Sequence, residues 1–168
     1  MRVFLTGFMG SGKTTLGRKL AARMNCAFID LDHVLEAQAG MAITEYFARH
    51  GEEQFRVLES HVLKTMDYPE TAVISTGGGL PCFFDHMQWM NQHGRTVYIK
   101  LSPRTLASRL ESGKAERPLL REKHGEELIA FIEEKLQERE TYYMQANIIA
   151  DGLSLTAEKL EEVITATY

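Results

Sequence analysis

The sequence predicts an α/β fold in which helices cover both faces of a parallel β-sheet. Short, β-rich apolar runs alternate with longer segments of helical periodicity along the chain. The first run, Val3-Phe4-Leu5, leads into the glycine-rich turn Gly7-Phe8-Met9-Gly10-Ser11-Gly12-Lys13-Thr14, after which Leu16, Leu20 and Met24 recur every four residues. Strand, glycine turn and helix therefore follow one another as in the opening of a βαβ unit. The 168 residues, 44% hydrophobic and 25% charged, suit one domain with one buried core.

Five strands are expected: Arg2–Thr6, Ala27–Asp30, Ala72–Thr76, Thr96–Lys100 and Asn147–Ala150, each short, mostly apolar and bounded by polar residues or glycine. The first helix spans about 12–25. Residues 33–66 read as three helices broken near Gly40 and Gly51, the last with an apolar stripe of Phe55, Leu58, Val62 and Met66. Ser102-Pro103 is a helix start, a capping hydroxyl followed by proline at the first helical position, and Leu106 and Leu110 continue it. From Glu111 to Gly125 the periodicity fails amid glycines, a proline and many charges, so a mobile loop is expected. Leu128, Ile132 and Leu136 then mark a long helix, and Leu160, Val163 and Ile164 a final one at about 156–165.

Bulk properties exclude several classes. Cys26 and Cys82 are far apart and have no companion Cys/His cluster, so neither a disulfide framework nor a zinc site is expected. With 19 Lys+Arg against 23 Asp+Glu, net −4, the surface has no general attraction for nucleic acid or anionic membrane. No apolar stretch approaches the roughly 20 residues that cross a bilayer. The chain runs from Met1 directly into the glycine turn without a cleavable leader, so a cytoplasmic location is expected.

The turn at 7–14 is G-x-x-x-x-G-K-[ST] without a mismatch. Small residues let backbone N–H groups curl toward one point, and the helix opening at Gly12 adds the positive end of its dipole, so triphosphate oxygens fit there. Lys13 is then expected at the β- and γ-phosphates and the Thr14 hydroxyl on Mg²⁺. A dinucleotide fingerprint needs G-x-G-x-x-G, whereas these glycines run G-x-x-G-x-G.

Ligands of an open α/β sheet sit beyond the carboxyl ends of its strands. At the end of the second strand, Asp30 and Asp32 share a face if strand geometry continues; one suits metal and the other a substrate hydroxyl. The alternative makes Asp32 only the cap of a helix beginning at His33. After the third strand, Gly77-Gly78-Gly79 allows backbone to approach a ligand closely or simply forms a turn. Arg56, between Glu52 and Glu59, reads as part of a solvated charge ladder or as an inward fork for a carboxylate, oriented by Glu59. Arg139 reads either way as well. Arg117, in the polar loop beside Lys114 and Arg121, suits stabilisation of the transferring phosphoryl group.

Together, the turn at 7–14, Phe28-Ile29-Asp30-Leu31-Asp32, Gly51-Glu52-x-x-Phe55-Arg56-x-x-Glu59, Gly77-Gly78-Gly79, Arg117-Pro118-Leu119-Leu120 and Arg139-x-x-x-Tyr143 resemble the shikimate kinase family over nearly the whole chain. The resemblance implies a three-layer P-loop kinase fold with strand order 2-3-1-4-5, a substrate-binding helical region near 33–60 and a lid near 111–124. It implies a nucleotide site at Gly10, Ser11, Gly12, Lys13, Thr14, Thr15, Arg109 and Arg117, with Mg²⁺ at Thr14 and Asp30. It assigns Asp32, Arg56, Gly78, Gly79 and Arg139 to shikimate, and catalysis to Lys13, Asp32 and Arg117. A monomer acting on shikimate is expected. The rivals are a P-loop kinase for another small metabolite such as gluconate, or a catalytically silent ATP-binding module.

Overall fold

The computed structural model describes residues 1–113 and 123–166. Its five strands are β1 (Arg2–Thr6), β2 (Ala27–Asp30), β3 (Ala72–Ser75), β4 (Arg95–Lys100) and β5 (Ile148–Asp151), all parallel and ordered β2-β3-β1-β4-β5. The expected segments and order are both met, with ends shifted by one residue at most.

Alternating side chains divide the core. Val3, Leu5, Val97 and Ile99 point to one face, where α1 (Lys13–Arg23) and α7 (Ala157–Ala166) bury Leu20, Ala21, Leu160 and Ile164. Phe4 and Ile74 point to the other, under α2 (Leu31–Ala39), α3 (Ile43–Thr65) and α4 (His86–His93). Tyr98 and Phe8 lie there too, under α5 (Pro103–Gly113) and α6 (Gly125–Tyr143). Burial of both sheet faces explains why the strands read as continuous apolar runs rather than alternating ones.

The breaks at the two predicted glycines are real. Gly40 ends α2 with φ 71°, and Gly51 interrupts α3 with φ 81° and ψ 171°, a conformation that a side chain disfavours. Two other expectations need correction. The second helix starts at Leu31, not His33, and its cap is Asp30, whose Oδ1 accepts the Asp32 N–H at 3.0 Å. Asp30 and Asp32 therefore do not share a strand face, because the first carboxylate satisfies an orphan amide of the helix that carries the second. A 3-10 turn (Leu80–Cys82) and α4 were not expected. In α4 only His86, Met87 and Met90 are buried, too few to register as a helical stripe.

β1 and β3 are neighbours whose connections leave for opposite faces, to α1 and to α4. Such a switch point opens a crevice at the carboxyl edge of the sheet. Register brings Leu5, Asp30 and Ser75 level there, and Thr76 clamps the edge, its N–H and Oγ1 both donating to Leu5 O at 3.1 and 3.0 Å.

Candidate active site

One wall of the crevice is the glycine turn. Gly7, Gly10 and Gly12 have φ of 145°, 81° and 95°, and Ser11 N–H donates to Phe8 O at 3.1 Å to close the loop. Gly12 is the cap residue of α1, so the unpaired amides of the first helical turn stand at the loop's end. Lys13 is 8% exposed, and its Nζ donates to Gly7 O at 2.6 Å and Phe8 O at 3.0 Å. Thr14 and Thr15 are exposed on the same turn. From α5, Arg109 donates to Ser11 O at 3.3 Å and closes one side of a cleft of about 350 Å³ that also includes Gly12, Thr15, Lys19 and Gly152. A larger groove, about 740 Å³ and lined by Tyr98, Lys100, Leu136 and Glu140 among others, contains none of the candidate residues.

The opposite wall is Gly77-Gly78-Gly79, and each glycine receives one functional side chain. A Cβ added at Gly77 would lie 2.8 Å from Asp32 Oδ1, one at Gly78 would lie 3.5 Å from Arg139 Nη1, and one at Gly79 would lie 2.5 Å from Arg56 Nη2. The glycines are thus a floor on which a carboxylate and two guanidiniums rest. Gly78 also abuts the phosphate turn, with the Met9 N–H 3.5 Å from the same added Cβ. Tyr143, fully buried, donates its hydroxyl to Gly78 O at 2.5 Å and ties α6 to the floor.

Electrostatics follow from this enclosure. Arg56 turns inward, 9% exposed, and Nη1 donates to Glu59 Oε1 at 2.9 Å; Glu52, at 3.6 Å, is mostly exposed. Burial pushes Glu59 up to about 7, against the pull of Arg56. Asp32 is also raised, by burial first and then by the Asp30 charge, with Lys13 opposing. Among the described residues, the buried Arg139 Nη1 and Arg56 Nε find no hydrogen-bond partner. Buried guanidinium donors left unpaired are costly, and their pairing with an anionic ligand recovers that cost. Thr14 and Asp30 offer hard oxygen donors suited to Mg²⁺, which keeps waters and phosphate oxygens as its other ligands.

A family model described as shikimate kinase matches residues 9–167. A shikimate kinase of Parabacteroides distasonis is 48% identical over 94% of this chain and 91% of its own. The chain belongs to the shikimate kinase family. Another member, from Bacteroides fragilis, is 46% identical over 96% of the chain and 88% of its own. The crystal structure of the shikimate kinase from Bacteroides thetaiotaomicron superposes with a TM-score of 0.93 at 40% identity, covering 98% of each chain. That of Acinetobacter baumannii in complex with shikimate gives 0.86 at 30% identity over 99% of this chain and 93% of the other. A gluconokinase from Sinorhizobium meliloti, 15% identical with a TM-score of 0.54, shares the fold alone.

Within this shikimate kinase fold, Lys13, Asp32, Arg56, Gly78, Gly79 and Arg139 converge on one crevice, while Thr14, Thr15 and Arg109 border the phosphate turn. Arg117 lies outside the described residues, as do Lys114, Arg121 and most of the expected lid. Two residues near the site were given no role by the sequence, Tyr143, which entered only through the Arg139-x-x-x-Tyr143 motif, and Phe83. Tyr143 follows Arg139 by four, hence on the same helical face, and that spacing was its available signal. Phe83 sits after the 3-10 turn, with no periodicity to mark it. Among the described residues no helix is long and apolar enough to cross a membrane.

Proposed function

We propose that the chain transfers the γ-phosphoryl group of ATP to the 3-hydroxyl of shikimate. The observation that carries this reading is the convergence of Asp32, Arg139 and Arg56 on three consecutive glycines beside the Lys13 turn. Arg56 and Arg139 have donors to fork the carboxylate of a small acid, with the glycine backbone close enough to complete the contact. Asp32 orients a ring hydroxyl toward the phosphate turn, and the raised affinity of its carboxylate for a proton lets it accept one as the hydroxyl attacks. Lys13 exchanges its carbonyl partners for phosphate oxygens and stabilises charge on the transferring group. Arg117 would act on the same charge from the lid, and Arg109 would stack on the base. Mg²⁺, held by Thr14 and Asp30, would supply neutralisation of the phosphate charge. Action as a monomer in the cytoplasm completes this reading.

A coupled assay with ATP and Mg²⁺ should show turnover with shikimate and none with gluconate or nucleoside monophosphates. Turnover with one of those and not with shikimate would overturn the reading. Two finer outcomes are expected. Gly79→Ala places a methyl against both Arg56 nitrogens, 2.5 and 2.9 Å away, and should raise the KM for shikimate while leaving that for ATP unchanged. The displaced guanidinium costs about 1–3 kcal/mol, a rise of roughly 5- to 150-fold. Because Asp32 works as a carboxylate, kcat/KM should fall as pH drops through its elevated pKa, and Asp32→Asn should lose most activity at every pH. An Asp32→Asn enzyme with wild-type kcat would remove this residue from the mechanism.

A further inference from the structure

Arg56 is held in an unusual way for a buried cation. Among the described residues, only Nη1 has an acceptor at hydrogen-bond distance, Glu59 at 2.9 Å, and Nε has none. Its Cζ lies over the Phe83 ring, 4.1 Å from the centroid, and more distantly over Phe55 at 5.2 Å. Gly79 leaves no space on another side, since an added Cβ there would lie 3.0 Å from Cζ. A ring face attracts a guanidinium through its quadrupole and takes no N–H donor from it.

The segment carrying Phe83 is pinned at several points. His86 N–H donates to Phe83 O at 3.2 Å, and Lys64 of α3 pairs with Asp85 at 2.5 Å. His86 is fully buried with Nδ1 2.7 Å from Leu80 O; a carbonyl only accepts, so Nδ1 carries the proton and donates it. Between these anchors Phe84 adopts φ 51°, a left-handed conformation rare for a bulky residue and retained only where the surroundings enforce it. The turn thus presents Phe83 to the guanidinium while Phe84 faces solvent.

We propose that Phe83 is a positioning residue for substrate binding: its ring face fixes the Arg56 guanidinium against Gly79 and leaves the N–H fork available to the substrate carboxylate. The inference rests on the reading of Arg56 as that fork. Phe83 thereby sets affinity for the acid without touching the nucleotide. A guanidinium deprived of the ring keeps Glu59 but is free to swing toward the exposed Glu52, which already lies 3.6 Å from Nη2.

Steady-state kinetics of Phe83→Leu, Phe83→Tyr, Arg56→Ala and the Phe83→Leu/Arg56→Ala double variant test this. Phe83→Leu should raise the KM for shikimate about tenfold, the scale of a desolvated cation–π contact, with the KM for ATP and kcat unchanged. Phe83→Tyr, which keeps the ring face, should bind shikimate like the parent, and Phe83→Leu should add nothing once Arg56 is gone. Should Phe83→Leu lower the melting temperature enough to prevent assay, Phe83→Met replaces it with the same expectation. A raised KM in Arg56→Ala with none in Phe83→Leu, or equal Phe83→Leu effects with and without Arg56, would overturn the role of Phe83 and leave the fork standing. An unchanged KM in Arg56→Ala would overturn the fork itself.

Discussion

Lys13→Ala should lower kcat for shikimate phosphorylation by about three orders of magnitude, the scale set by removing a preorganised charge from a transferring phosphoryl group. The geometry makes the effect specific to chemistry. Lys13 Nζ sits inside the glycine turn, donating to Gly7 O at 2.6 Å and to Phe8 O at 3.0 Å. Truncation therefore removes the cation while the α1 cap at Gly12 and the amides around it remain. The measurement is kcat under saturating substrates beside a melting curve, and a loss below tenfold would take Lys13 out of the transition state. Lys13→Arg should not restore activity, because a planar fork does not fit a space shaped around a point charge.

Arg56→Ala should raise the KM for shikimate by about 100-fold or more, consistent with the 2–5 kcal/mol lost when one partner of a buried charge pair is truncated. Affinity for ATP should be unaffected, since Arg56 meets the glycine floor and not the phosphate turn. The fold should survive. Glu59, left without its 2.9 Å partner, takes up a proton, as its position near 7 with Arg56 present already foreshadows. Arg56→Lys is a stringent companion, because an ammonium keeps the charge and loses the fork. Titration of shikimate against both variants decides the matter, and wild-type affinity in Arg56→Ala would leave Arg56 as the buried partner of Glu59 with no part in binding the acid.

The strands and the phosphate turn were legible because their physics is local. A parallel strand buried on both faces is a continuous apolar run, and a loop of left-handed residues demands glycine at fixed offsets, as at Gly7, Gly10 and Gly12. The helix breaks at Gly40 and Gly51 were legible for the same reason. By contrast, α4 escaped notice because its stability comes from His86, Met87 and Met90 meeting a core built by distant segments. The sequence left open whether Asp32 was a helix cap, and the cap is Asp30: either aspartate suits the chemistry, and only the point at which the chain leaves the sheet selects between them.

Arg56 is the clearest case of a choice that sequence leaves open. Its neighbours at i−4 and i+3 are both glutamates, and an exposed ladder and a buried fork look identical along the helix. What the amino-acid order alone determined was the α/β class, the strand segments, the phosphate turn and the resemblance to shikimate kinases, each encoded within a few consecutive residues or in ordered motifs. The tertiary structure decided which charges face inward. It folded α2, α3 and α6 over one glycine floor, so that Asp32, Arg56 and Arg139, more than 100 positions apart at the extremes, share a single crevice. Burial and pairing are properties of what surrounds a side chain, and for these three the surroundings come from remote parts of the chain.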